Sequence, residues 1–209
     1  CVSIIKHNNP CGVSSAPTVA QAYSNAHFAD PASAFGGIVA CNYTWTAEAA
    51  RFMSDKFTEV LIAPDFEEEA LNILKSRENL RILKIEFDLN KHIQDLKAGE
   101  KTAVNADIKG IDGGLLVQDL DEGIVDTKTF QFVTEIKPAR SQLEDLAFAW
   151  QIIKSIKSNA ILLVKGKTTC GVGAGQMSRV DSTKIAVEKA GEKAKGSVLA
   201  SDAYFPFTD

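Results

Sequence analysis

A lysine and a histidine stand side by side at Lys6-His7, at the end of an apolar run that predicts a buried strand, Val2–Lys6. A neutral histidine can take a proton from an amine as that amine attacks a carbonyl carbon. A neighbouring lysine cation favours the neutral form of the histidine and can stabilise the oxyanion that develops during the attack. The pair is therefore the best candidate for a catalytic dyad in this sequence. The alternative is that one of the two is merely solvated, because adjacent strand residues point to opposite faces.

A glycine-rich loop follows a predicted hairpin formed by residues 160–172. Gly171, Gly173 and Gly175 alternate in it, and Arg179 follows them at the start of a predicted helix. Uncovered backbone N–H groups, a helix N-terminus and an arginine suit an anion or a carbonyl oxygen. The alternative is a tight corner that needs glycine for backbone reasons alone. The loop is neither a Walker loop nor a dinucleotide fingerprint.

Two further groups of side chains are candidates for binding. Asn159 lies between a predicted helix and a predicted strand, where its amide can hold a carbonyl or an amine, or can end the helix as a C-cap. Aromatic residues near the end of the chain can sandwich a flat heterocycle or belong to the core. These are Tyr204, Phe205 and Phe207, flanked by Asp202 and Asp209.

The cysteines argue against both disulfides and zinc. None of Cys1, Cys11, Cys41 and Cys170 is part of a C-x-x-C pair, so we expect reduced thiols and a cytoplasmic protein. A zinc deaminase requires H-x-E or C-x-E followed by P-C-x-x-C. Pro10-Cys11 lacks the second cysteine, and no acidic residue lies two positions after His7. The sequence therefore predicts no zinc site.

Strand and helix patterns alternate over residues 2–87, which predicts an α/β fold with a largely parallel sheet. In such a sheet, ligands bind at the carboxyl ends of the strands, where Lys6 and His7 lie. Asn8–Gly12 is predicted to be a turn. Predicted strands cover residues 2–6, 38–41, 60–63, 80–87, 160–164, 168–172 and 197–200. Predicted helices follow the caps Thr18, Thr46, Ser141 and either Asp181 or Ser182, and a further helix covers 66–75.

The segment from residue 88 to residue 140 is more polar, with an edge strand predicted at Leu115–Gln118. We divide the chain into a first lobe at 1–110, a connector at 111–140 and the start of a second lobe at 141–209. No repeat is visible as a regular period. The chain begins and ends inside apolar elements, so we expect it to be a piece of a longer polypeptide.

The composition excludes several classes of protein. The 209 residues are 45% hydrophobic and 24% charged with a net charge of −4, which is ordinary for a globular protein. No basic patch supports nucleic acid binding. The longest apolar runs are too short to span a membrane, and no stretch has the layout of a signal peptide.

Five segments together resemble the AICAR transformylase family, the formyl-transfer half of the bifunctional purine-synthesis enzyme that also carries IMP cyclohydrolase. They fall in the family's order and spread over essentially the whole chain. The segments are K-H-N-N-P-C-G at 6–12, A-F-G-G-I-V-A at 34–40, S-N-A-I-L-L-V-K at 158–165, G-V-G-A-G-Q-M-S-R-V-D-S at 171–182 and A-S-D-A-Y-F-P-F at 200–207.

The resemblance implies phosphoribosylaminoimidazolecarboxamide formyltransferase activity: a formyl group passes from 10-formyltetrahydrofolate to the 5-amino group of AICAR. It implies duplicated cytidine-deaminase-like three-layer αβα lobes without zinc, and a homodimer with active sites at the interface. It assigns His7 as general base, Lys6 to the formyl oxygen and Asn159 to orientation. The nucleotide would contact Phe35, Gly36 and Glu59, and the folate side would be lined by Arg179, Tyr204, Pro206, Phe207 and Asp209. A structural potassium ion would lie near Asp202 and Ser158.

The chain departs from the family in extent. The cyclohydrolase domain and an R-Y-G-E-N-P-H-Q-like nucleotide-binding segment are absent from these residues. We therefore expect the 209 residues alone to be weakly active or inactive. Two alternatives stay open: a non-catalytic nucleotide-binding or assembly lobe of the same fold, and a deaminase-fold hydrolase, which the missing zinc ligands disfavour.

Overall fold

The structure, a computed structural model, describes residues 1–86, 94, 106–121 and 123–206. The strands are β1 (Val2–Lys6), β2 (Asn9–Ser14), β3 (Gly37–Cys41), β4 (Thr58–Ala63), β5 (Arg81–Lys84), β6 (Ala106–Ile111), β7 (Gly114–Asp119), β8 (Ile161–Lys165), β9 (Thr168–Gly173) and β10 (Val198–Ser201). The helices are α1 (Val19–Ala29), α2 (Pro31–Ala34), α3 (Ala47–Met53), α4 (Glu68–Lys75), α5 (Arg140–Ile153) and α6 (Arg179–Ala190), with short 3-10 turns at Thr127–Thr129 and Gly191–Ala194.

Eight strands form one mixed sheet in the order β10-β8-β9-β2-β1-β3-β4-β5. Among these described strands only β3-β4 and β4-β5 are parallel, and the other neighbours are antiparallel. The prediction of a largely parallel sheet is therefore wrong, because hairpins rather than crossover helices connect β1 to β2 and β8 to β9. The α/β class is confirmed.

The predicted turn at Asn8–Gly12 is also wrong. Only His7 and Asn8 form the turn, and the chain from Asn9 continues as β2. Proline and glycine are tolerated in this strand for local reasons. The register shifts between Ile4 and Ile5 because β2 has an extra residue, Cys11, between Pro10 and Gly12, which forms a bulge, and Gly12 lies directly beneath α1.

Helices cover both faces of the sheet and produce a three-layer αβα arrangement. One face packs against α1, α3 and α4, whose apolar side chains surround Val2, Ile4 and Leu61. The same face continues to α6, which packs on β9. The opposite face is covered by α5 over β8 and β10, where Leu162 lies in the core.

Local capping signals were partly correct. Thr18 and Thr46 accept hydrogen bonds from Gln21 N and Ala49 N and begin α1 and α3, as predicted. The cap residues predicted for the other two helices are wrong. Helix α5 begins after Ala139, with Ser141 already in its first turn, and α6 begins after Ser178, with Asp181 and Ser182 inside it. Ser182 is fully buried instead, and its hydroxyl donates to Asn159 O.

The predicted edge strand at Leu115–Gln118 is confirmed as β7, but it pairs with β6 in a separate two-stranded sheet. This hairpin crosses position 110, and the proposed division at 110 and 140 stays a prediction. Within the described ranges, no helix has the combination of length and hydropathy that crossing a bilayer needs.

Candidate active site

Strand direction brings the predicted site residues to one end of the eight-stranded sheet. At this end β1, β9 and β10 finish, and β2, β3, β4 and β8 begin. Residues that are far apart in the chain therefore lie at the same end of the sheet, in the segments that enter and leave these strands. Those residues are Lys6, His7, Phe35, Gly36, Glu59, Asn159, Arg179, Asp202, Tyr204 and Pro206.

The Lys6-His7 pair spans the junction of strand and turn. Lys6 is the last residue of β1, whereas His7 is exposed and has a φ of 49°. The strict alternation of strand faces therefore does not separate the two side chains. The Lys6 ammonium donates a short hydrogen bond to Phe35 O, which holds it at the start of β3.

A residue larger than glycine would be strained at position 36. Its φ is 66°, and a Cβ there would lie 3.1 Å from the Phe57 ring and 3.3 Å from Lys6 Nζ. The Gly36 amide donates to Phe57 O at 2.9 Å, and the Phe35 and Phe57 rings are 5.1 Å apart. Gly36 therefore allows the Lys6 ammonium to lie against the backbone, while the Phe35 side chain remains exposed.

Glu59 lies next to this group but is engaged elsewhere. Gly37 pairs with Thr58, which places Glu59 near the start of β3. Its carboxylate accepts from Arg81 at 2.9 Å, and both side chains are largely exposed. The contacts of the described residues do not join Glu59 to Lys6 or His7, so its role as a nucleotide ligand stays a prediction.

The Asn159 side chain is held in one orientation by three hydrogen bonds. Its Nδ2 donates to Gln176 O and Met177 O, both at 2.9 Å, and its Oδ1 accepts from Arg179 at 2.7 Å. Asn159 is not a C-cap, since α5 ends at Ile153. Both donors of the amide are used, so the second lone pair of Oδ1 is what it can offer a ligand.

Arg179 and Asp202 form a nearly buried ion pair beside Asn159. Only 10% of the Arg179 side chain and 20% of the Asp202 side chain is exposed. Arg179 also donates to Ser201 Oγ at 2.8 Å. Burial raises the pKa of the Asp202 carboxyl, but hydrogen bonds from the Ser158 hydroxyl, the Ala160 N–H and the Arg179 guanidinium outweigh it and lower that pKa to about 2.

Four of the predicted residues line one cavity of about 390 Å³. They are Asn159, Arg179, Tyr204 and Pro206. The wall also includes residues that the sequence analysis did not assign to the site, namely Met177, Ser178, Val180 and Ala203, together with Phe205, which was considered only as an aromatic. Their position directly beside Arg179 and Tyr204 in the sequence is the signal that identifies them. Phe207 and Asp209 lie outside the described residues.

Asn9 connects the His7 turn to the segment that carries Asn159. Its Nδ2 donates to His7 O at 3.3 Å, and its Oδ1 accepts from Lys157 N at 2.9 Å. Lys157 O in turn accepts from Gly175 N at 2.7 Å. The catalytic candidates in the two halves of the chain are thus linked by a short hydrogen-bonded path. From the sequence alone, Asn9 was predicted only to be part of a turn.

The thiols do not form a site. All four cysteines are free, and burial raises the pKa of Cys11 to about 11. Within the described ranges, no group of three or more histidine, cysteine, aspartate or glutamate side chains is arranged to hold a metal ion. Ser158 and Asp202, which were predicted to lie beside a potassium ion, do contact each other.

A family model described as "AICARFT/IMPCHase bienzyme" matches residues 1–189. Similar curated proteins are each named "Bifunctional purine biosynthesis protein PurH". The protein from Nostoc sp. is 49% identical over 207 residues, covering 99% of this chain, and that from Thermoanaerobacter sp. is 47% identical over 205 residues, covering 98%. The protein from Anoxybacillus flavithermus is 46% identical over 205 residues.

The match covers this chain almost completely and the relatives only in part. The chain spans 38% of the length of each of these three proteins. The part that the family model matches includes the Lys6-His7 turn, the Asn159 segment and Arg179. This chain belongs to the AICARFT/IMPCHase bienzyme family.

Proposed function

We propose that this chain carries the formyl-transfer site of a purine-biosynthesis enzyme, in which 10-formyltetrahydrofolate donates a formyl group to the 5-amino group of AICAR. The observation that carries the proposal is that Lys6, His7, Asn159 and Arg179 all lie at the same end of the sheet. The family membership and the PurH relatives support it.

The proposed chemistry follows from the side chains at this end. The amine nitrogen of AICAR attacks the formyl carbon, and exposed His7 takes the proton that the amine loses. The Lys6 ammonium, which donates to Phe35 O, is the group that we propose stabilises the oxyanion. The tetrahedral intermediate then collapses, the bond from the formyl carbon to N10 breaks, and N10 takes up a proton to give tetrahydrofolate.

The cavity beside Asn159 is the proposed folate side. Its Tyr204 and Phe205 rings offer flat surfaces for a heterocycle, and Asn159 Oδ1 offers an acceptor at its edge. Phe35, Gly36 and Glu59 are the proposed nucleotide contacts, and Phe207 and Asp209 the remaining folate contacts. For the potassium ion that the resemblance implies, the Ser158 hydroxyl and the Asp202 carboxylate would supply two oxygen ligands.

We also propose a cytoplasmic homodimer with the active site at its interface. The β6-β7 hairpin supports the dimer, because its exposed apolar side chains form a surface that a second subunit would cover. They are Ile108, Ile111, Leu115, Leu116 and Val117. Because the chain spans 38% of its relatives, we expect the 209 residues alone to turn over weakly or not at all.

The test is formyl transfer by a polypeptide extended to the length of the relatives, with AICAR and 10-formyltetrahydrofolate. His7→Ala should reduce the rate by a factor of about a hundred or more while AICAR binding is retained. Lys6→Ala should also reduce it. The matched control is Lys165→Ala, which removes a similar lysine-to-carbonyl bond, from Lys165 Nζ to Lys195 O, at the opposite end of the sheet.

Equal losses in Lys6→Ala and Lys165→Ala would indicate a structural effect and contradict the assigned role of Lys6. An unmodified polypeptide that binds AICAR but transfers no formyl group would instead favour the non-catalytic binding lobe. Metal analysis that found stoichiometric zinc would favour the deaminase-fold hydrolase.

A further inference from the structure

The two halves of the eight-stranded sheet follow the same path. In the first half, β1 turns into β2, α1 follows, and β3 returns beside β1. In the second half, β8 turns into β9, α6 follows, and β10 returns beside β8. The halves join where β2 pairs with β9, so an approximate two-fold axis relates them.

The correspondence extends to individual contacts. A Cβ on Gly12 would lie 2.0 Å from Ala26 O in α1, and a Cβ on Gly171 would lie 2.0 Å from Ala186 O in α6. Each hairpin has one extra residue in its second strand, Cys11 in β2 and Cys170 in β9, where the register shifts. Each first strand ends in a lysine whose ammonium donates to a carbonyl ahead of the returning strand. The segments 6–13 and 165–172 accordingly share the pattern K-x-x-x-x-C-G-V.

The two turns have the same backbone conformation. His7 and Asn8 have φ values of 49° and 64°, and Gly166 and Lys167 have values of 59° and 53°. This conformation directs two successive N–H groups toward one point. In the second turn, that point is occupied by a carboxylate: Asp145 Oδ2 accepts from Gly166 N at 2.8 Å, and Oδ1 accepts from Lys167 N at 2.7 Å.

In the first turn, no acceptor for the N–H groups of His7 and Asn8 is found among the described residues. The face of the sheet beside this turn is also uncovered. Asp145 lies on α5, which covers Leu162 and Val164 of β8. The corresponding face of the first half leaves Ile38 of β3 38% exposed. Among the described residues, one half of the sheet thus has both a covering helix and a bound carboxylate, and the other half has neither.

We propose that the N–H pair of His7 and Asn8 is a carboxylate-binding site. Two backbone donors match the two oxygens of a carboxylate, and such charge-assisted bonds are stronger than neutral ones. A bound carboxylate fixes the turn that presents the His7 side chain, as Asp145 fixes the turn after Lys165. The proposal is independent of formyl transfer, because it rests on the two turns alone.

The carboxylate has two sources: an acidic side chain of a helix that lies on the uncovered face, or a small-molecule ligand. The first test gives the same information whichever of these two sources supplies the carboxylate. The ¹⁵N-labelled chain is titrated with sodium acetate against sodium chloride at equal ionic strength, and amide proton shifts are followed. Saturable downfield shifts are expected at His7 and Asn8 and not at Gly166 and Lys167, whose carboxylate is already in place.

The matched control is Asp145→Asn, which removes the carboxylate from the second turn. Gly166 and Lys167 should then respond to acetate as His7 and Asn8 do, and Asp145→Glu should restore the unresponsive state. Acetate shifts at the second turn of Asp145→Asn without shifts at the first turn would overturn the proposal. If Asp145→Asn fails to fold, the comparison of the two turns in the unmodified chain still decides it, since shifts confined to other amides would refute the site.

The source is decided in a polypeptide extended to the length of the relatives. Amide protons of His7 and Asn8 that are already shifted downfield and insensitive to acetate identify an acidic side chain. Amide protons that still respond to acetate identify a small-molecule carboxylate. Amide protons that are neither shifted nor responsive in that polypeptide would overturn the proposal.

Discussion

Replacing Asp202 by asparagine tests the ion pair that orients Asn159. The substitution preserves the shape of the side chain and removes its charge, which leaves the Arg179 guanidinium, with 10% of its side chain exposed, without a counter-charge. The pKa of Asp202 is lowered from 3.8 to about 2 in the folded protein. One pKa unit corresponds to about 1.4 kcal/mol, but Asp202 is partly exposed and solvent screens its charge, so the carboxylate stabilises the fold by about 1 kcal/mol at pH 7.

The sign of the pH dependence follows from the direction of that pKa change. A pKa that is lower in the folded state gives a stabilisation that is complete above the unfolded pKa. It is lost as the pH falls through the folded pKa, from about pH 5 to about pH 2. The free energy of unfolding of Asp202→Asn should thus be lower than that of the unmodified chain by about 1 kcal/mol or more at pH 7, and the deficit should shrink by about half at pH 3.

Urea unfolding at pH 7, 5 and 3, followed by circular dichroism, measures both quantities. Asp65→Asn is the matched control, because the Asp65–Lys84 pair is largely exposed and its loss should change the free energy of unfolding much less. A variant as stable as the unmodified chain at pH 7, or a deficit that stays constant down to pH 3, would show that the Arg179–Asp202 pair does not stabilise the fold in the way described.

Two further predictions concern packing and coupling. Gly12→Ala would place a Cβ 2.0 Å from Ala26 O, so it should lower the free energy of unfolding by about 3 kcal/mol or more, whereas Gly110→Ala, with no neighbour within 4 Å of its Cβ, should be nearly neutral; urea unfolding compares them. Asn9→Ala removes the bond to Lys157 N and should lower kcat for formyl transfer about tenfold with less effect on KM. Asn9→Asp keeps the acceptor and should retain more activity, and equal losses in both variants would contradict the positioning role of Asn9.

Several elements followed directly from local sequence. Strand β1 formed where apolar residues alternate, and Thr18 and Thr46 capped their helices because a cap needs only a hydroxyl and the N–H groups three residues ahead. Where several neighbouring residues each favour a helix cap, the sequence predicted the wrong first residue of the helix. Ser141, Asp181 and Ser182 all favour caps, yet each lies within the first turn of its helix, and Ser182 is buried against Asn159 O.

Strand β2 shows what local sequence could not decide. Asn9-Pro10-Cys11-Gly12 has the composition of a turn, but β1 pairs with it along one side, β9 continues the sheet at Ser14, and α1 closes over Gly12. These long-range contacts outweigh the weak strand propensity of the segment. The same pairing makes the sheet mostly antiparallel, so the site lies where strands of both directions meet and not at carboxyl ends alone.

The sequence by itself determined which chemical groups are available: a lysine and a histidine side by side, an asparagine before a strand, and an arginine after a glycine loop. Tertiary structure alone decided that these groups share one end of a sheet, because strand order and direction depend on hydrogen bonds between segments about 150 residues apart. It also supplied the residue-by-residue correspondence of the two halves, since they share a backbone path and little more than K-x-x-x-x-C-G-V in sequence. The carboxylate on one turn and the open N–H pair on the other follow from that shared path.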